Sequence, residues 1–274
     1  MSSENEQYAV DDEIATFFTK TPVSREACDS LAKELVGGDS VVPVVVQGAC
    51  SYTVYAGFFA LAWKTPQTVD KAYRDNIAET YENELQILLL ALPDRFHPII
   101  RATLRSLPNI LALPMVLLHK DFGDCNIMVD EESCHLVGVI DWAEAEMGPF
   151  GTNLHSLQDL MSKLHLKNGW IRYEDYDDLV ACFWETLDGK VGGLDEDTLK
   201  AIKAARVLGL LRSWAFTSRL ANQPTPVPIR DDESGRYRMM ILEGLLLAPA
   251  TQFEGLEGWI RAEGREDVRY DNRS

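Results

Sequence analysis

The chain has 274 residues, with 26 basic against 43 acidic side chains and a formal net charge of −17. Its 46% hydrophobic and 25% charged fractions are those of an ordinary globular protein with a sizeable core. The acidic balance speaks against nucleic acid as a partner, because neutralising phosphates needs a basic face, and it weakly favours a cationic one.

No apolar run approaches the ~20 residues of a membrane span; Leu85–Leu92 is the densest, and Pro93 stops it. Five widely spaced cysteines without a CxxC pair suit reduced thiols. The polar, acidic N-terminus has no signal-peptide character, so the expected address is cytoplasmic. The sequence carries no signature of oligomeric state.

In chain order, helical spacing is predicted at Asp11–Phe18 and at Ser24–Leu35, the latter closed by Gly37-Gly38. Val41–Gln47 reads as a strand, Gly48–Ser51 as a turn and Tyr52–Ala56 as a second short strand. Thr65-Pro66 opens a predicted helix running to about Leu92, and another fits Pro98–Ser106. Met115–Leu118 is a strand, followed by a loop to Cys125 and a predicted hairpin of Asn126–Val129 with Leu136–Ile140. After a breaker-rich loop at Gly148–Gly151 the rest reads as helical: about Leu154–Leu164, Tyr173–Leu187, Glu196–Asn222, Gly235–Leu247 and Glu254–Ala262.

The chemistry concentrates at residues 119–141. Pairing the two hairpin strands brings the start of one beside the end of the other, so Asn126 and Asp141 meet, and the short loop holds Asp121 next to them. Oxygen donors of this kind suit Mg²⁺, which takes one or two carboxylates together with phosphate oxygens and water. The competing account makes Asp121 and Asn126 turn residues and Asp141 a helix cap. A metal hydrolase using His119, Asp121 and Asp141 lacks a second histidine cluster.

The segment His119-x-Asp121-x4-Asn126, followed by an apolar strand and Ile140-Asp141-Trp142, resembles the catalytic and metal-binding loops of the aminoglycoside phosphotransferase and choline kinase-like family. The continuation to Gly151 looks like fungal members of that group. The resemblance implies an α+β, protein kinase-like fold, with a largely helical C-lobe, a small β-hairpin insert and a reduced N-lobe. It implies transfer of the ATP γ-phosphoryl group to the hydroxyl of a small molecule, with Mg²⁺. Asp121 takes the place of the catalytic base, His119 braces the loop, and Asn126 and Asp141 are the metal ligands. Gly48 and Ser51 correspond to a phosphate-covering turn, although an ordinary hairpin turn reads equally well there.

A kinase-like nucleotide lobe takes at least ~60–70 residues of strands, helix and turns. Only Gly57 to Trp63 separate the second predicted strand from the Thr65-Pro66 helix start, and Lys64 reads as a solvated residue at that start. The expected organisation is therefore a remnant nucleotide-binding lobe over 1–57, a kinase-like helical lobe over 58–265 and a charged tail over 266–274. A segment would be missing at Gly57-Phe58. The second reading that follows is an impaired pseudokinase acting as a binding module.

His97, His135, His155 and His165 lack paired spacing, which favours hydrogen-bonding over metal-binding roles. Trp170, Trp184 and Trp214 read as core residues, and Asp175, Asp177 and Asp178 as a solvated helix start.

Overall fold

The computed structural model describes residues 53–129, 136–142, 145–217 and 226–261, all within the second of two units, Ala49–Ser274. The elements predicted before residue 52 lie outside the described residues, as do Gly48 and Ser51.

The predicted strand at Tyr52–Ala56 is instead the start of helix α1, Thr53–Lys64, and Gly57-Phe58 lies inside that helix. Thr53-Val54-Tyr55-Ala56-Gly57-Phe58-Phe59-Ala60 is a continuous apolar run, which a buried helix and a strand share. Burial decides here: Phe59 and Ala60 are in the core, and α1 lies along α5, Tyr176–Val191. Lys64 closes α1 rather than opening the next helix, and Thr65 is spent on capping it, its N–H and hydroxyl both donating to the Leu61 carbonyl. Helix α2, Lys71–Ala91, therefore begins later than predicted, at an Asp70 cap whose carboxylate accepts the Tyr73 N–H at 2.7 Å.

Helix α3, His97–Ala112, starts with Pro98 in its first turn and outruns its predicted end at Ser106, because Leu107 and Ile110 continue its buried face. Strand β1, Met115–Leu118, leads to the loop, and β2, Ile127–Val129, pairs antiparallel with β3, Leu136–Val139. The breaker-rich segment predicted as loop contributes β4, Glu146–Pro149, which pairs antiparallel with β1 and sets Glu146 opposite Leu118.

The helix predicted over Leu154–Leu164 divides into a single 3₁₀ turn, a short α4, Leu157–Met161, and β5, Ser162–His165. β5 pairs with β6, Gly169–Arg172, across a turn in which Gly169 has φ 74°. The Asn168-Gly169 dipeptide is the turn signal that marks this hairpin. Helix α5 ends on a left-handed Gly192. Helix α6, Glu196–Trp214, is capped by Asp195 and stops short of the predicted Asn222, and α7 covers Arg236–Leu246. No described helix is long and apolar enough to cross a membrane.

Helix α6 is the axis of the core. Ala201, Ile202, Ala204, Ala205 and every residue from Arg206 to Leu211 are buried, with α3, α7 and the loop after β4 packed around it. Gly209 permits the closest approach: a Cβ there would fall 1.6 Å from the Thr152 carbonyl oxygen. Gly151, beside it in the loop, has φ 97°. Gly209→Ala should therefore force the loop off α6 and cost about 2–4 kcal/mol, as overpacking does. Denaturant melts check this, and a variant as stable as the parent would contradict the packing described.

Candidate active site

The loop between β1 and β2 rests on an aromatic base. Phe122 is buried, stacked on Phe58 at 5.0 Å between ring centres and edge-on to Phe59 at 5.2 Å, so α1 supports the loop from below. His119 is 1% exposed, and its Nε2 donates to the Ile140 carbonyl at 2.7 Å. Its ring stands edge-on to Trp142 at 4.8 Å, and the Trp142 indole N–H donates to the Val139 carbonyl.

The backbone bonds converge on one point. The Ile140 N–H donates to the Asn126 carbonyl at 2.9 Å, immediately before Asp141. The Asn126 side-chain amide donates to the Asp121 carbonyl at 2.8 Å and to its carboxylate at 3.2 Å. Asp121 and Asn126 are in contact, Asp141 follows the Ile140 anchored on Asn126, and all three line one cavity of about 1080 Å³. Asp141 is the only non-glycine described with positive φ, 60°, a conformation that costs energy unless its surroundings impose it.

These donors fit Mg²⁺. The Asn126 amide nitrogen is engaged by Asp121, so its side-chain oxygen and the Asp141 carboxylate, both in the cavity lining, are the atoms that could take the ion. Among the described residues no cluster of three or more His, Cys, Asp or Glu side chains could hold an ion without help. One carboxylate and one amide oxygen suffice for Mg²⁺ when phosphate oxygens and water complete the shell.

A buried ionic network, absent from the sequence reading, holds the loop to the helical core. Arg212 on α6 donates to Glu84 of α2 at 2.7 Å and to Glu146 of β4 at 3.1 Å, while Glu146 reaches Lys120, beside Asp121, at 3.4 Å. The Arg212 guanidinium lies over the Tyr81 ring at 4.2 Å. Burial disfavours its charge, but Tyr81, Glu84 and Glu146 outweigh that, and its pKa stands above the ordinary value. Burial pushes the Tyr81 hydroxyl up to about 12. One sequence signal existed: Glu84 shares the stripe of α2 formed by Ile77, Tyr81, Leu85 and Leu88, where a carboxylate needs a partner.

The remaining single-residue readings divide. His97 and His155 make hydrogen bonds to backbone carbonyls and His165 to backbone N–H groups, as expected, while His135 lies outside the described residues. His155 lines the cavity and is buried, which lowers its pKa to about 4. Trp170 and Trp214, read as core, also line the cavity. Asp175 precedes α5, with Asp177 and Asp178 exposed in its first turn, the solvated helix start expected.

A family model described as the phosphotransferase enzyme family matches residues 21–165, just over half of the chain. No curated protein matches. Among solved structures, a macrolide 2'-phosphotransferase type I aligns at 14% identity over 65% of this chain and 57% of that one, with a TM-score of 0.40. An aminoglycoside-3'-phosphotransferase of type VIII aligns at 16% identity over 57% of this chain and 59% of that one, with a TM-score of 0.36. The chain spans less than two thirds of either structure.

Two outcomes test the electrostatics. Arg212→Met should cost about 3–5 kcal/mol, since it removes the cation facing two carboxylates, whereas Lys120→Met should cost under about 1 kcal/mol. Equal losses in chemical denaturation would contradict the network. For His155 the folded pKa of about 4 lies below the ordinary 6.5, so the unfolded state binds its proton first and stability falls as pH drops from 6.5 to 4. The loss amounts to roughly 3 kcal/mol. His155→Gln should flatten that slope, and an unchanged slope would place the titration elsewhere.

Proposed function

The chain belongs to the phosphotransferase enzyme family, and from that premise we propose that it is a small-molecule kinase moving the ATP γ-phosphoryl group to a substrate hydroxyl. The observation that carries the reading is the convergence of Asp121, Asn126 and Asp141 on one cavity through hydrogen bonds of the loop and hairpin. Asp121 is the base: its carboxylate orients the acceptor hydroxyl and takes its proton as the oxygen bonds to the γ-phosphorus and the bond to the leaving ADP oxygen breaks. Asn126 and Asp141 are the residues that would hold Mg²⁺, which when bound offsets phosphate charge. His119 is a positioning residue, fixing the loop through the Ile140 carbonyl rather than touching substrate.

The acceptor side of the cavity presents Trp170, Tyr173, Trp214 and Tyr237. Aromatic faces of this kind suit sugars and cations, and the net charge of −17 adds a weak preference for a cationic acceptor. The unbridged thiol of Cys182 fits a cytoplasmic address.

A specific observation favours a second reading, an impaired kinase serving as a binding module. From α1 to β1 the described chain offers no strand bearing a basic residue for the nucleotide phosphates; Lys64 ends a helix, and Lys71 pairs with Asp75 on an exposed surface. Calorimetric titration with Mg·ATP separates the readings: micromolar affinity supports the kinase, and no heat up to millimolar nucleotide supports the binding module. If the chain is active, Asp121→Ala should lower phosphoryl transfer from labelled ATP about 10²–10⁴-fold without lowering the melting temperature, because Asp121 is exposed. Undiminished turnover would sink the assignment.

A further inference from the structure

A second cavity, of about 490 Å³, opens between α6 and the segment 253–259, and it belongs to no part of the phosphoryl-transfer site. Its apolar wall comes from Ala204, Val207, Phe253, Leu256 and Trp259. Its polar wall is a set of charges that do not balance. Lys200 is neutralised outside the cavity by Glu196 at 2.8 Å and Asp197 at 3.6 Å. Lys203 and Arg206 then share a single carboxylate, Glu254, at 3.8 and 2.9 Å. Two cations on one anion leave one positive charge.

The same charges are incompletely hydrogen-bonded. Arg206 is 3% exposed and its Nε has no partner, although the residue lines the cavity. Glu254 spends one carboxylate oxygen on both Arg206 and the Trp184 indole N–H, while its other oxygen is buried and unpartnered. Burial lowers the Lys203 pKa, a cost that a bound anion would relieve. The Arg206 guanidinium lies over the Phe253 ring at 4.1 Å and the Lys203 ammonium over the Trp184 ring at 5.1 Å, so both cations are held at an aromatic surface. An unpartnered buried donor, a surplus positive charge and an apolar wall are the features of a small-molecule site.

We propose that this cavity is a binding site for a small monoanion with an apolar body, such as a medium-chain or aromatic carboxylate, whose charge is received by Lys203 and Arg206. The apolar body lies along Val207, Leu256 and Trp259. The site is independent of the kinase reading and stands whether or not the chain turns over ATP.

The test uses the full chain, with octanoate as the probe and tryptophan fluorescence as the signal, since Trp259 lines the cavity and Trp184 carries the charged pair. Octanoate should quench or shift the emission saturably, and neutral octan-1-ol should bind about ten-fold more weakly or not at all. Lys203→Gln removes the surplus charge at a partly exposed position and should weaken octanoate about ten-fold. Absence of saturation by ~10 mM octanoate, outside the range of specific small-ligand affinities, would overturn the proposal. So would equal affinity in Lys203→Gln or equal binding of the alcohol.

Discussion

A guanidinium buried between two carboxylates joins the parts of this molecule that carry chemistry. Arg212 bridges Glu84 on α2 and Glu146 on β4 from its place on the central helix α6, and Glu146 passes the connection to Lys120 in the loop. The Arg212 and Glu84 charges, each costly alone in the interior, are tolerable as a pair. Helix, strand and loop are therefore fixed relative to one another by electrostatics as well as by apolar packing. Lys120, the chain neighbour of Asp121, adds only a weak, partly exposed tie to this network.

The loop itself is held mostly by backbone. Ile140 gives its carbonyl to His119 and its N–H to the Asn126 carbonyl, so one residue locks the catalytic loop to the hairpin. Asp141 then leaves the hairpin in a left-handed conformation that an L-residue adopts only when the surroundings enforce it. Preorganisation of this kind is what phosphoryl transfer needs, because its catalysis is positioning and charge neutralisation rather than covalent work. The aromatic stack of Phe58, Phe59 and Phe122 supplies the floor and explains why an apolar run became α1 rather than a strand.

Local signals carried the site, and long-range ones were lost. The spacing of His119, Asp121, Asn126 and Asp141, with an apolar strand on each side, points to their meeting point, because an antiparallel hairpin sets the start of one strand beside the end of the other, as in the Ile127–Val139 pair. Nothing local told that Glu146 would face Leu118 in a β1–β4 pair, or that Arg212 would lie within reach of it; the Arg212–Glu146 contact spans 66 residues of sequence. The β5–β6 hairpin was legible in Asn168-Gly169, and helical spacing upstream hid it. Helix starts were misplaced where Thr65 caps the preceding helix and Asp70 caps the following one.

We propose above all that Asn126 and Asp141 hold the divalent ion of a nucleotide complex. Electron paramagnetic resonance of Mn²⁺, used in place of Mg²⁺ and titrated with ATP present, reads that contact directly. The spectrum of Mn²⁺·ATP should broaden to that of a protein-bound complex on adding the protein, and should revert with Asn126→Ala or Asp141→Ala while the melting temperature stays near that of the parent. Identical Mn²⁺·ATP binding by the parent and both variants would contradict it.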